Sequence, residues 1–130
     1  MIIKLFNTNL PKPIITVEGK KVDWVQGSYC WEGLLNSICT DMPSPPELIK
    51  IQGLEPVAVS PYSKLKIEFK KEPLENTLIV SSWISNKDSK SVLLRDNAIL
   101  VPKEKGVYVY SVSAGWKKGS SGYAFVIEVQ

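Results

Sequence analysis

Histidine is absent from this 130-residue sequence. With it goes the side chain that shuttles protons near neutral pH and completes serine and cysteine triads. Sulfur is scarce too, with two cysteines and two methionines, so zinc and haem centres lack their usual ligands and no metal or cofactor is expected. No apolar run approaches the roughly 18 residues that a membrane-crossing helix requires. Met1-Ile2-Ile3-Lys4-Leu5-Phe6 is too short for a signal peptide, and residues 1–12 read as a tail or edge strand ahead of one domain, 13–130. A dominant charge is also missing: 16 Lys plus Arg face 13 Asp plus Glu, a formal charge of +3.

That small excess is uneven. Residues 1–60 hold five Lys against six acids, and residues 61–130 hold ten Lys and one Arg against seven acids. A nucleic-acid surface would show a denser basic stripe interleaved with stacking aromatics. Here Lys64, Lys66 and Lys70 alternate with Leu65, Ile67 and Phe69, the solvated side of a half-buried strand. Nucleic acid is therefore not an expected partner. At 44% apolar residues, the chain can bury a core without metals or several disulfides.

The sequence is rich in strand patterns. Pro61 and Pro73 bracket the 64–70 alternation as turn or edge residues. Leu78–Trp83 forms the next run. Val92–Leu94 and Ala98–Val101 read as short strands around an Arg95-Asp96-Asn97 turn. From Gly106 to Trp116, Tyr108, Tyr110, Val112, Ala114 and Trp116 share one face. A six-residue turn, Lys117 to Gly122, then leads into a last strand with Tyr123, Phe125, Ile127 and Val129 on one side, the pattern of an antiparallel hairpin.

Near the start, Ile14–Val17 and Val22–Val25 flank Glu18-Gly19-Lys20-Lys21 as a short hairpin, and Gln26–Trp31 continues the sheet. Gly33–Ile38 has no settled period. Met42-Pro43-Ser44-Pro45-Pro46 reads as a stiff loop that three prolines keep out of helix and ladder. Glu47–Ile51 fits one helical turn or a short strand. Eight or nine short strands with Gly and Pro punctuation imply an all-β, immunoglobulin-like antiparallel β-sandwich with one local disulfide, with a small open β-barrel as the alternative.

Cys30 and Cys39 suit a local disulfide worth roughly 2–3 kcal/mol by loop closure. Two reduced buried thiols remain an alternative. A redox dithiol would have two intervening residues rather than eight. An oxidised pair places the chain outside the reducing cytosol. Trp24, Tyr29 and Trp31 cluster beside the cysteines and read either as core or as a rigid binding patch. Tyr108, two residues beyond Gly106, fits a tyrosine corner whose hydroxyl returns to the backbone upstream. Asp23, Glu32, Asp41 and Glu47 are the carboxylates a small glycan hydrolase would use, if two stood about 5–9 Å apart. Gly119–Gly122 lacks the Lys-Ser/Thr ending of a phosphate cradle, and no loop has calcium-binding spacing.

The segments Gln26-Gly27-Ser28-Tyr29-Cys30-Trp31, Pro45-Pro46-Glu47-Leu48 and Lys105-Gly106-Val107-Tyr108-Val109-Tyr110, with Trp116, Gly119 and Tyr123-Ala124-Phe125, carry a likeness to a known group. Over about residues 13–130 the chain resembles uncharacterised small extracytoplasmic proteins and lipoproteins of Bacillus-like Gram-positive bacteria. The resemblance implies a place on the outer face of the cytoplasmic membrane, secreted or anchored, and a Cys30–Cys39 disulfide. It supplies no catalytic residues, and the chain departs from it in lacking a lipidated N-terminal cysteine and its signal. The combined expectation is a non-enzymatic, monomeric extracytoplasmic domain that binds a cell-envelope protein or polymer through a loop end or sheet face. The alternatives are a carboxylate-dependent glycan hydrolase and a structural module of an envelope assembly.

Overall fold

The computed structural model describes residues 9–130. The expected tail or edge strand over 1–12 lies mostly outside the described residues, and 9–12 carry no strand. Two predominantly antiparallel sheets form the fold, without barrel closure. The first holds β1 (Pro13–Val17), β2 (Lys20–Val22), β6 (Lys64–Phe69) and β9 (Ala98–Leu100) in the order β2-β1-β6-β9. The second orders β4 (Ser37–Thr40), β3 (Val25–Glu32), β11 (Gly119–Val129), β10 (Gly106–Trp116), β7 (Ile79–Trp83) and β8 (Ser89–Ser91). A short β5 (Val57–Val59) pairs in parallel with the far end of β11.

Period-two alternation is what lets the layers face each other. Leu65, Ile67 and Phe69 of β6 are buried and the residues between them exposed. Ile15, Val17 and Val22 join them from the same sheet, and Tyr110, Val112, Ala114, Trp116, Tyr123, Phe125 and Ile127 meet them from the other. Burial pushes the phenols of Tyr110 and Tyr123 up to about 12, with Tyr108 adding to the shift of Tyr110.

The outer face of β11 is buried as well, because Ala124 and Val126 pack under Leu48 and Ile49 of a helix, α1 (Pro45–Gln52). This corrects the reading of 42–46 as wholly loop: Pro45 and Pro46 open the helix. First-turn amides have no intrahelical acceptor, so proline loses no bond there, and its fixed φ already suits the helix. Gly53 ends α1 at φ 66°.

Turns depart from the sequence reading in two further places. The β10–β11 hairpin closes over Lys117 and Lys118 alone, and Gly119–Gly122 belongs to β11, where it pairs with β10 and, at Gly119–Ser121, also with β3. Composition misled here, since Gly and Ser mark flexible loops only when no neighbouring strand claims their backbone groups. Val92–Leu94 lies outside the strands, with β8 just before it. Asp96 and Asn97, at φ 53° and 59°, make the following tight turn, closed by the Arg95 and Ala98 amides donating to each other's carbonyls at 2.9 and 3.1 Å.

Glu18 and Gly19, at φ 51° and 73°, form the two-residue β1–β2 turn that suits strand twist. The turn is tied to the loop after β5: the Ser60 amide donates to one Glu18 carboxylate oxygen at 2.9 Å and its hydroxyl to the other at 3.0 Å. These bonds, the amide first, hold the Glu18 carboxyl below its ordinary value of 4.5. Its folded pKa is therefore lower than its unfolded one. The stabilisation is complete above about 4.5 and is lost as pH falls through the folded value. Urea midpoints of Glu18→Gln and wild type are expected to differ at pH 7 and to converge in acid.

Candidate interaction site

Trp24, Tyr29 and Trp31 all turn toward the interior. Trp31 is 7% exposed and meets Trp116 edge-on at 6.0 Å. The Trp24 indole donates to the Pro13 carbonyl at 2.9 Å, and its ring stands edge-on to Tyr123 at 5.2 Å. Tyr29 is half-buried against the same core. The residues expected as a binding patch are thus packing residues in this fold: alternation in β3 puts Tyr29 and Trp31 on the same inward side, and Trp24, just before β3, is turned in by its bond to Pro13 and its contact with Tyr123.

The carboxylates are spread over separate elements. Asp23 lies between β2 and β3, Glu32 ends β3, Asp41 follows β4 and Glu47 is on α1, each of them exposed. None of the four lines the principal surface hollows. The largest, about 800 Å³, is open and gathers Glu68, Glu72, Glu75 and Asp96 instead. Among the described residues no group of three or more His, Cys, Asp or Glu is placed to hold a metal ion.

A trough of about 260 Å³ runs beside α1 on the outer face of the second sheet, with Ser111, Ser113 and Ser120 along it. Trp83 borders it, its indole already donating to the Ser111 hydroxyl at 2.8 Å.

The most distinctive surface lies in the Gly33–Ile38 stretch, which has no settled period in the sequence. Cys30 of β3 and Cys39 of β4 stand directly opposite each other and form a disulfide. Beyond it the strands pair to Glu32 and Ser37, and the Gly33 amide donates to the Asn36 carbonyl at 2.8 Å to close the turn. Leu34 and Leu35 at its apex are 104% and 97% exposed. Burying a leucine side chain is worth about 1.5–3 kcal/mol, so the isolated chain forgoes that gain twice at one point. The bridge limits how far the arms can open, which keeps the apex projecting.

No protein-family model, curated protein or solved structure matches the chain.

Three other segments share this end of the sandwich. The Glu32 amide donates to the Lys118 carbonyl at 2.8 Å, which sets the Lys117–Lys118 turn beside the leucine hairpin. The Trp116 indole donates to the Lys71 carbonyl at 2.9 Å. Lys12, Lys70, Lys71 and Lys118 surround a hollow of about 390 Å³ floored in part by Trp31. No single stretch of sequence announces this lysine group, because its members come from three places in the chain.

Gly119 holds the two hairpins together. Its φ is +151°, and a Cβ there would run into the Cys30 carbonyl oxygen. Gly119→Ala is expected to cost about 2–3 kcal/mol, read as a lower denaturation midpoint. At the opposite end of β10, the Tyr108 hydroxyl donates to the Glu104 carbonyl at 2.7 Å. Tyr108→Phe should lower stability by about 1 kcal/mol and leave every interaction of the leucine hairpin unchanged, measured by denaturation and by the binding assays below.

Proposed function

We propose that this chain is a non-enzymatic interaction domain that works outside the cytosol, in the cell envelope, and makes contact through the bridged β3–β4 hairpin. The observation that carries the reading is the pair of fully exposed leucines at the apex of a hairpin closed by Cys30–Cys39. A disulfide with both cysteines exposed persists in oxidising compartments and is reduced in the cytosol. The resemblance of the Gln26–Trp31 and Lys105–Tyr110 segments to small Gram-positive envelope proteins supports the same location. Within the sandwich, the Tyr108–Glu104 bond supports an immunoglobulin-like lineage, since such domains fix their sixth strand by a tyrosine hydroxyl reaching back to the backbone.

The contact is by a loop end rather than a sheet face. On the outer face of the second sheet α1 covers one part, and beside it runs a hydroxyl-lined trough whose tryptophan is already hydrogen-bonded. On the first sheet the outward positions of β6 are Lys64, Lys66 and Glu68, a solvated row.

The test is cosedimentation with washed Gram-positive envelope fragments. Wild type should be retained, and Leu34→Ser/Leu35→Ser should be retained at least about tenfold less, as loss of two apolar anchors implies. Combined Asp23→Asn, Glu32→Gln, Asp41→Asn and Glu47→Gln substitutions should leave retention at or above the wild-type level. Equal retention of the leucine variant would refute the hairpin contact. Glycan cleavage by wild type that the carboxylate variant lacks would restore the hydrolase reading.

A further inference from the structure

The apex is apolar, and the ground around it is basic. Residues 9–13, 32–37, 70–73 and 116–119 come together at this end through the Glu32–Lys118 and Trp116–Lys71 bonds and the shared hollow. These segments carry five lysines, Lys12, Lys70, Lys71, Lys117 and Lys118, against two acids, Glu32 and Glu72. All five lysines are exposed. The leucines stand at the tip, and the cations lie on the neighbouring loops and around the hollow behind it.

That arrangement selects among partners. A protein interface of ordinary size needs a broad patch with aromatic or arginine anchors, and lysine is depleted there. The tip offers two leucines, and its nearest aromatic, Trp31, is buried. A glycan would want an exposed ring to stack on, and the tip has none. A lipid bilayer asks for something different: a small apolar wedge that enters the boundary between headgroups and acyl chains, and flexible, strongly hydrated cations that remain among the phosphates. Neither signal suffices alone, and the two together are the usual combination for reversible attachment. The disulfide and the turn bond keep the wedge formed before contact, so little ordering is left to be done on binding.

Resting on the hairpin contact proposed above, we infer that its partner is the surface of an anionic bilayer, with Leu34 and Leu35 inserted and the five lysines against lipid phosphates. Attachment by this end stands the two sheets away from the membrane and leaves the α1 face and the Glu104–Tyr108 end free.

The experiment is vesicle cosedimentation of the intact chain, with vesicles of phosphatidylcholine alone or with about 30% phosphatidylglycerol, at low and high salt. The anionic vesicles should bind at least about tenfold better than the neutral ones, with the difference shrinking as salt screens the lysines. On anionic vesicles, Leu34→Ser/Leu35→Ser should weaken binding at least about thirtyfold, and Lys117→Gln/Lys118→Gln about tenfold. Lys87→Gln/Lys90→Gln, on the β7–β8 hairpin, should have no effect. All positions are exposed, so melting temperatures should stay within about 2 °C of wild type.

Equal binding to both vesicle types, or indifference to the leucine or Lys117/Lys118 changes, overturns the inference. If wild type ignores anionic vesicles while envelope retention still depends on the leucines, the lipid assignment falls and a protein or polymer contact of the same hairpin stands. If neither assay depends on the leucines, both readings fall together.

Discussion

A chain of aromatic rings running from one sheet to the other holds this molecule in shape. Trp24 stands against Tyr123, Tyr123 against Phe69 at 5.7 Å, Phe69 against Trp116 at 5.0 Å, and Trp116 against Trp31. Phe69 is the only one of the five from the first sheet, and it meets two rings of the second. Edge-on and tilted contacts of this kind have preferred spacings, so Phe69 sets how the layers face. The polar tips of three of these rings act outward. Trp24 and Trp116 donate to the Pro13 and Lys71 carbonyls, and the Tyr123 hydroxyl to that of Pro11. The segments that carry Lys12, Lys70 and Lys71 are therefore anchored by core residues, and the basic surface around the leucine hairpin follows from the interior packing.

Much of the fold was legible because alternation is a local signal. The β6 pattern and the two long C-terminal strands follow from every second residue being apolar, and Tyr108 could be placed from its distance to Gly106. The helix was harder to see, since Pro45 and Pro46 look like breakers until they are read as the first turn. The extent of β11 was hidden for a related reason. Ser120 and Ser121 have no loop to make, because β10 and β3 take up the backbone on both sides.

The candidate site was the least legible part. Trp24, Tyr29 and Trp31 stand out by chemical type, yet alternation in β3 turns Tyr29 and Trp31 inward and the contacts of Trp24 with Pro13 and Tyr123 turn it in ahead of the strand. Leu34 and Leu35 offered no period and looked like an unassigned stretch of chain. What gives them meaning is the pairing of Cys30 with Cys39 behind them and the approach of Lys70, Lys71, Lys117 and Lys118 from segments more than 30 residues away in the sequence. Projection and neighbourhood are tertiary properties, and a one-dimensional pattern does not contain them.

The position of β11 has a consequence in time. This strand lies between β10 on one side and β3 and β5 on the other, and residues 123–127 are buried on both faces, yet among the described strands it comes last in chain order. Without residues 119–129 the larger sheet lacks its centre, the β3–β4 pair has no strand to join it to β10, and α1 lacks the Ala124 and Val126 surface it packs on. Such long-range pairing is slow to form. The larger sheet is thus closed through its centre by its own final strand, whereas the Cys30–Cys39 bridge joins two strands adjacent in sequence and asks for no distant segment.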